Sequence, residues 1–196
     1  MPHRRRRSHT RRNVLIAAIV LIFVIGAIVL AYQMSGGSPA QTSNKVVLVT
    51  SMGNITLQLY DDMPITTGNF KNLVATGVYD GTIFHRIAPG FVIQGGDATP
   101  KGITVATIPD ELPNKHSNVR GSVAMAKTSA PNSASSQFFI NLNDTNAASL
   151  DSNYSVFGEV IAGMDVVDAI SQVPINPPND GKPLQDVTLI EAQFID

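Results

Sequence analysis

The rhythm of apolar and polar positions changes along this chain. From Val14 to Ala31 there are 18 apolar residues in succession. Beyond Lys45 the pattern shortens to a period near two: in VVLVTSMGNITLQLY, Ile55, Leu57 and Leu59 alternate with Thr56, Gln58 and Tyr60. That predicts two strands joined by a turn at Ser51-Met52-Gly53-Asn54, with one face buried. Two segments follow a helical period instead. DDMPITTGNFKNLVATG offers Pro64 for a first turn, Phe70, Leu73 and Val74 on one stripe, and Gly77 as a stop; MDVVDAISQV repeats Met164, Val167 and Ile170. Further strands are predicted at TIFHRI, GFVIQGG, GSVAMA, QFFINL, VFGEVI and DVTLIEAQFI, separated by turns rich in Pro, Gly, Asn and Asp, among them Asn179-Asp180-Gly181. About eight strands with two helices predict a mainly β fold, an antiparallel barrel or sandwich rather than a βαβ array.

The N-terminal apolar run has a different destiny. At about 1.5 Å per residue it spans roughly 27 Å, close to the hydrocarbon thickness of a bilayer. A cleaved signal peptide has a shorter apolar region of about 7–15 residues, and the best small-x-small site, Ser38-Pro39-Ala40, lies past the apolar end. An uncleaved anchor is therefore expected. MPHRRRRSHTRR holds six arginines and no acid, so the N-terminus should stay inside the cytoplasmic membrane and the rest of the chain outside. The Arg11-Arg12 pair also resembles a twin-arginine export signal. The expected organisation is a basic segment at 1–13, one transmembrane helix at 14–32, a Gly- and Ser-rich linker at 33–44 and a folded domain at 45–196.

Charge narrows the partners. Removing the six N-terminal arginines from the 14 basic residues leaves 14 − 6 = 8 against 15 acidic ones, so the region from Gln41 onward carries −7. Such a domain has no electrostatic case for binding nucleic acid. There is no Cys, which excludes disulfides, thiol catalysis and Cys-based zinc sites. No G-x-S-x-G, H-E-x-x-H or phosphate-cradling loop occurs, and the domain's two histidines, His85 and His116, are too few for a hydrolytic triad or a His-based metal site.

What remains is FHRIAPGFVIQGGD, residues 84–97, in which Arg86 and Gln94 are set into apolar strands. With IPDEL, GSVAMAKTSAPNSASSQFFINL and LDSNYSVFGEVIAGMDVV, it resembles in order and spacing the cyclophilin-type peptidyl-prolyl cis-trans isomerases, across essentially all of residues 45–196. The resemblance implies an eight-stranded antiparallel β-barrel capped by two α-helices, with no cofactor and no metal. It further implies that Phe91, Val92, Met125, Phe139 and Leu150 line a proline site and that Gln94 and Gln137 contact peptide backbone. The main chain of Ala126 and Lys127 would run beside the substrate, and Tyr154, standing where many members carry His, would supply a polar-tipped wall.

The chemistry is intelligible from the residues. Rotation about an amide costs about 18–20 kcal/mol, and an X-Pro bond left alone takes tens to hundreds of seconds. A guanidinium such as that of Arg86 presents several N–H donors and cannot act as a base, which suits stabilising a twisted amide whose nitrogen has regained its lone pair. The expected partners are proline-containing segments of exported or cell-surface proteins, and the membrane through the N-terminal helix. Binding of such segments without turnover, as a holdase, is the alternative from another class. His85 alternates to the strand face opposite Arg86 and reads as structural. Ser149, where many relatives have Trp, weakens the pocket rim and counts against strong binding of cyclosporin, the family's inhibitor.

Overall fold

The structure, a computed structural model, describes residues 43–176 and 181–196. The basic segment at 1–13 and the expected transmembrane helix at 14–32 lie outside the described residues, as do most of the linker and the first two residues of the Asn179-Asp180-Gly181 turn. Among the described residues no helix is long and apolar enough to cross a membrane.

Nine strands form one antiparallel sheet: β1 (Lys45–Thr50), β2 (Gly53–Leu59), β3 (Thr82–Ile83), β4 (Arg86–Ala88), β5 (Val92–Gly95), β6 (Ser122–Met125), β7 (Phe138–Asn141), β8 (Val156–Ala162) and β9 (Thr188–Ile195). Their order across the sheet is β3-β9-β1-β2-β8-β6-β7-β5-β4. The expected count of eight is corrected at TIFHRI, which divides because its two halves take different partners. Thr82 and Ile83 pair with β9, whereas Arg86 to Ala88 pair with β5. Between them Phe84 N–H donates to the Val187 carbonyl at 2.9 Å, and just beyond, Ile87 N–H donates to Gly181 at 2.7 Å. β3 and β4 are the two ends of the strand order, yet only Phe84 and His85 separate them in the chain. The sheet therefore curls until its ends meet through a covalent link, without a ladder between them. It is a curled nine-stranded half-barrel where an eight-stranded barrel was expected.

Among the described residues three α-helices accompany the sheet: α1 (Pro64–Ala75), the single turn α2 (Ala147–Leu150) and α3 (Met164–Ser171). The first and third follow the stripes read from the sequence. The second was not expected, because NDTNAAS has no apolar period; it forms after a 3-10 turn that opens where the Asn143 side chain accepts the Thr145 N–H. α1 has no side-chain cap of its own. Glu111 supplies one from a distant loop, accepting from Ile65 N–H at 3.2 Å and Thr66 N–H at 2.8 Å. A carboxylate there satisfies orphan donors and complements the helix dipole, and it ties the IPDEL loop to the body of the fold.

The main core lies inside the curl. Phe70 on α1 sits at its centre, with ring centroids 5.0 Å from Tyr79, 5.6 Å from Phe138 and 4.9 Å from Phe157. All four rings are fully buried. Phe70→Ala removes this shared contact and is expected to destabilise the fold by about 3–5 kcal/mol in urea unfolding; a loss under about 1 kcal/mol would show that the cluster is not central.

Candidate active site

Antiparallel register places one residue from each of five strands in a single row. Arg86 on β4 opposes Gln94 on β5, Gln94 opposes Phe139 on β7, Phe139 opposes Ala124 on β6, and Ala124 opposes Val156 on β8. Because strand side chains alternate faces, neighbours of this row point the other way. Phe138, Ile93 and Val123 enter the main core, while Phe139, Val92 and Ala124 form a second, smaller apolar cluster with Ala126, Leu150 and Val156. Phe91 and Tyr154 pack against that cluster from its margin, and the Tyr154 ring meets Phe139 edge-on at 5.5 Å.

A cavity of about 260 Å³ opens over this cluster. It is smaller than the roughly 300–1,000 Å³ of typical small-molecule sites, and suits one ring-sized group. Arg86, Gln94 and Lys127 supply its polar lining; Phe91, Val92, Ala126, Phe139, Leu150 and Tyr154 supply the rest. A larger groove of about 560 Å³ beside Met52, Pro174 and Leu184 contains Asp186 but no cation.

Two of the residues expected to line the site stand elsewhere. Gln137 is not on the cavity wall, but it reaches the row through Gln94, whose Nε2 donates to Gln137 Oε1 at 2.8 Å. Met125 is 2% exposed and belongs to the main core. Strand parity explains this, since Ala124 and Ala126 on either side of it belong to the smaller cluster under the cavity. Ser149 also stays off the cavity wall, its hydroxyl donating to the Asn146 carbonyl at 3.1 Å.

The two cations differ in availability. Lys127 Nζ lies 2.6 Å from Asp110 Oδ2 in a largely buried pair, so its charge is answered locally. Arg86 Nη1 makes only a long 3.4 Å hydrogen bond to the neutral Gln94 Oε1, and among the described residues no carboxylate forms an ion pair with it. The IPDEL loop braces this side of the cavity, where Asp110 also accepts the Asn132 N–H; separately, Ala126 N–H donates to the Gln137 carbonyl at 2.9 Å.

His85 does not line the cavity, and its Nδ1 is buried without a hydrogen-bond partner. Burial is the largest influence on it and pushes its pKa down, with Asp97 opposing. The unfolded chain therefore takes up this proton first. The stability His85 contributes is complete above the unfolded value near about 6.5 and is lost as pH falls toward the lower folded value. The urea midpoint should drop between about pH 7 and pH 5 in the native chain, and His85→Gln should flatten most of that slope. An unchanged slope in the variant would assign the loss to another group.

Three further residues went unmarked in the sequence: Asn118, Asn141 and Asn146, all buried beneath the cavity. The available signal was Asn141, an amide inside the apolar strand QFFINL, where Asn is disfavoured unless something satisfies it.

Comparison with known proteins agrees with this geometry. The family described as Cyclophilin type peptidyl-prolyl cis-trans isomerase/CLD matches residues 45–194. A peptidyl-prolyl cis-trans isomerase of Acinetobacter baylyi is 44% identical over 164 residues, covering 79% of this chain and 87% of that protein. One from Streptomyces antibioticus is 43% identical over 162 residues, covering 76% of this chain and 98% of its own length. Among solved structures, a cyclophilin type peptidyl-prolyl cis-trans isomerase of Cryptosporidium parvum, determined in the presence of the dipeptide Ala-Pro, aligns with a TM-score of 0.70 at 29% identity, over 78% of this chain and 99% of that one. Curled sheet, cavity and motif order thus converge, and the chain belongs to the cyclophilin-type peptidyl-prolyl cis-trans isomerases.

Proposed function

We propose that this isomerase acts on X-Pro bonds of exported or cell-surface proteins, holding the proline ring over Phe91, Phe139 and Leu150 while Arg86 stabilises the twisted amide. The observation that carries the reading is the unneutralised Arg86 guanidinium at the edge of an apolar cavity, where the second cation is already paired with Asp110. Proline as the occupant is supported by the Ala-Pro dipeptide present with the Cryptosporidium parvum relative.

No bond to carbon is made or broken, so no nucleophile or cofactor is required. Shortening tens of seconds to milliseconds needs about 10⁴-fold, or roughly 5–6 kcal/mol. One preorganised donor in a water-poor site supplies about 3–4 kcal/mol. The remainder falls to the cavity, which removes water from the rotating amide and fixes the ring while the preceding carbonyl swings. Gln94, itself held by Gln137, steadies Arg86 and presents its amide on the cavity wall to the peptide backbone, and Ala126 and Lys127 border the path of the chain.

Arg86→Ala should lower kcat/KM in a coupled proline-peptide assay by about 100- to 1,000-fold with the melting temperature little changed. Near-normal turnover would sink the role of Arg86. Exchange of a proline peptide faster than its spontaneous rate, seen as NMR line broadening, would exclude pure holdase binding.

The location is part of the proposal and rests on the sequence alone: 18 apolar residues from Val14 preceded by six arginines would hold the domain outside the cytoplasmic membrane as a single-pass protein. N-terminal sequencing of membrane and soluble fractions should find the Arg-rich start only in the membrane fraction; a soluble chain beginning after Ala40 would replace the anchor with a cleaved signal.

A further inference from the structure

Beneath the cavity, two residues along β7 from Phe139 and so on the same face of the sheet, lies Asn141, with no exposed surface. Its register partner is Val92 of the cavity floor. Three side-chain amides join end to end there. Asn146 Nδ2 donates to the Phe91 carbonyl at 2.7 Å and to Asn141 Oδ1 at 2.9 Å. Asn141 Nδ2 donates to Asn118 Oδ1 at 3.2 Å, with Ser122 Oγ as a second acceptor at 2.9 Å. Asn118 Nδ2 donates to Asp151 Oδ1 at 2.9 Å. Every amide points the same way, from the Phe91 carbonyl toward a carboxylate that can only accept, and that end group sets the direction of the whole series.

An apolar filling would have avoided the desolvation of three amides, so the arrangement needs a reason beyond occupancy. The two ends of the series show what it connects. Phe91 belongs to the β4–β5 turn and forms the floor. Asp151 follows Leu150, the last residue of α2, and the Tyr154 carbonyl three residues on accepts from both Asn118 Nδ2, at 3.3 Å, and Asn114 Nδ2. Floor and rim share no strand ladder. The amides bridge them, and hydrogen bonds in series in a low-dielectric interior reinforce one another.

We propose that Asn118, Asn141 and Asn146 form a buried amide relay, ended by Asp151, that sets the spacing between the floor at Phe91 and the rim at Leu150 and Tyr154. They are positioning residues that tune how tightly a proline ring is held. This rests on the reading of the cavity as the proline site. Arg86 is held independently, through Gln94 and Gln137, so the relay governs affinity and leaves the rotation step largely alone.

The test is NMR line-shape titration of a proline peptide with the full chain, which separates the dissociation constant from the exchange rate on the enzyme. Asn146→Ala should weaken binding about tenfold, the equivalent of one buried hydrogen bond, with the bound exchange rate within about twofold of native. Asp151→Asn keeps the acceptor but removes the charge; being half-exposed it tests the relay even if Asn146→Ala folds poorly, and a smaller rise in the same constant is expected. Val167→Ala, in the core of α3, should lower the melting temperature without changing the dissociation constant. Native affinity in both relay variants would overturn the proposal, as would an equal rise in Val167→Ala, which would mean general loosening. If Phe91→Ala and Phe139→Ala bind the peptide as well as the native chain does, the reading of the cavity itself fails.

Discussion

Strand parity is the constraint from which the rest of this molecule follows. In β5, β6 and β7 successive side chains serve opposite faces, one committed to the aromatic core around Phe70 and the other to the small cluster under the cavity. A slip of one residue in β7 would send Phe138 to the cavity face and Phe139 into the core. The large investment in the core, where Tyr79, Phe84 and Phe138 are fully buried, therefore also fixes the side chains of the site. Gly96 contributes to this coupling. It has a φ of 79°, and a Cβ there would come within 2.9 Å of both Phe138 and Tyr79. The glycine pair that ends GFVIQGG lets β5 leave the sheet while the core closes behind it.

Polar groups in this domain have been placed with similar economy. Amides near the cavity answer one another in two groups: Gln94 with Gln137 on one side, and the asparagine series on the other. Of the two cations that line the cavity among the described residues, the one left without a carboxylate is Arg86. That contrast supports the role proposed for Arg86, since a rotation catalyst must reserve its strong interaction for a charge distribution that exists only when the amide is twisted. Lys127 shows the alternative fate of a cation in the same wall, held by Asp110 and so built into the scaffold.

Much of this was legible in the sequence. Alternation in ITLQLY, GFVIQGG and QFFINL gave strands where strands occur, and the helical stripes through Phe70 and Val167 marked α1 and α3. Arg86, Gln94, Phe91, Phe139 and Tyr154, named from motifs, meet around one cavity. The misses have physical causes. TIFHRI has continuous strand propensity, and only the change of partner at Phe84-His85 divides it, which is a tertiary event. Met125 looked like a lining residue because its motif lies beside the site, whereas its parity within β6 sends it to the core. α2 is a turn imposed by packing on a segment with no period of its own, and the buried asparagines cannot be told from surface ones by composition.

The covalent link at Phe84-His85 has one more consequence. It makes the sheet's two outer strands its two shortest, β3 with two residues and β4 with three, and the β4 backbone is partly covered by Gly181. Long free edges invite added strands from other polypeptides. Here β-augmentation finds almost no template, and a passing polypeptide has little sheet edge on which to pair.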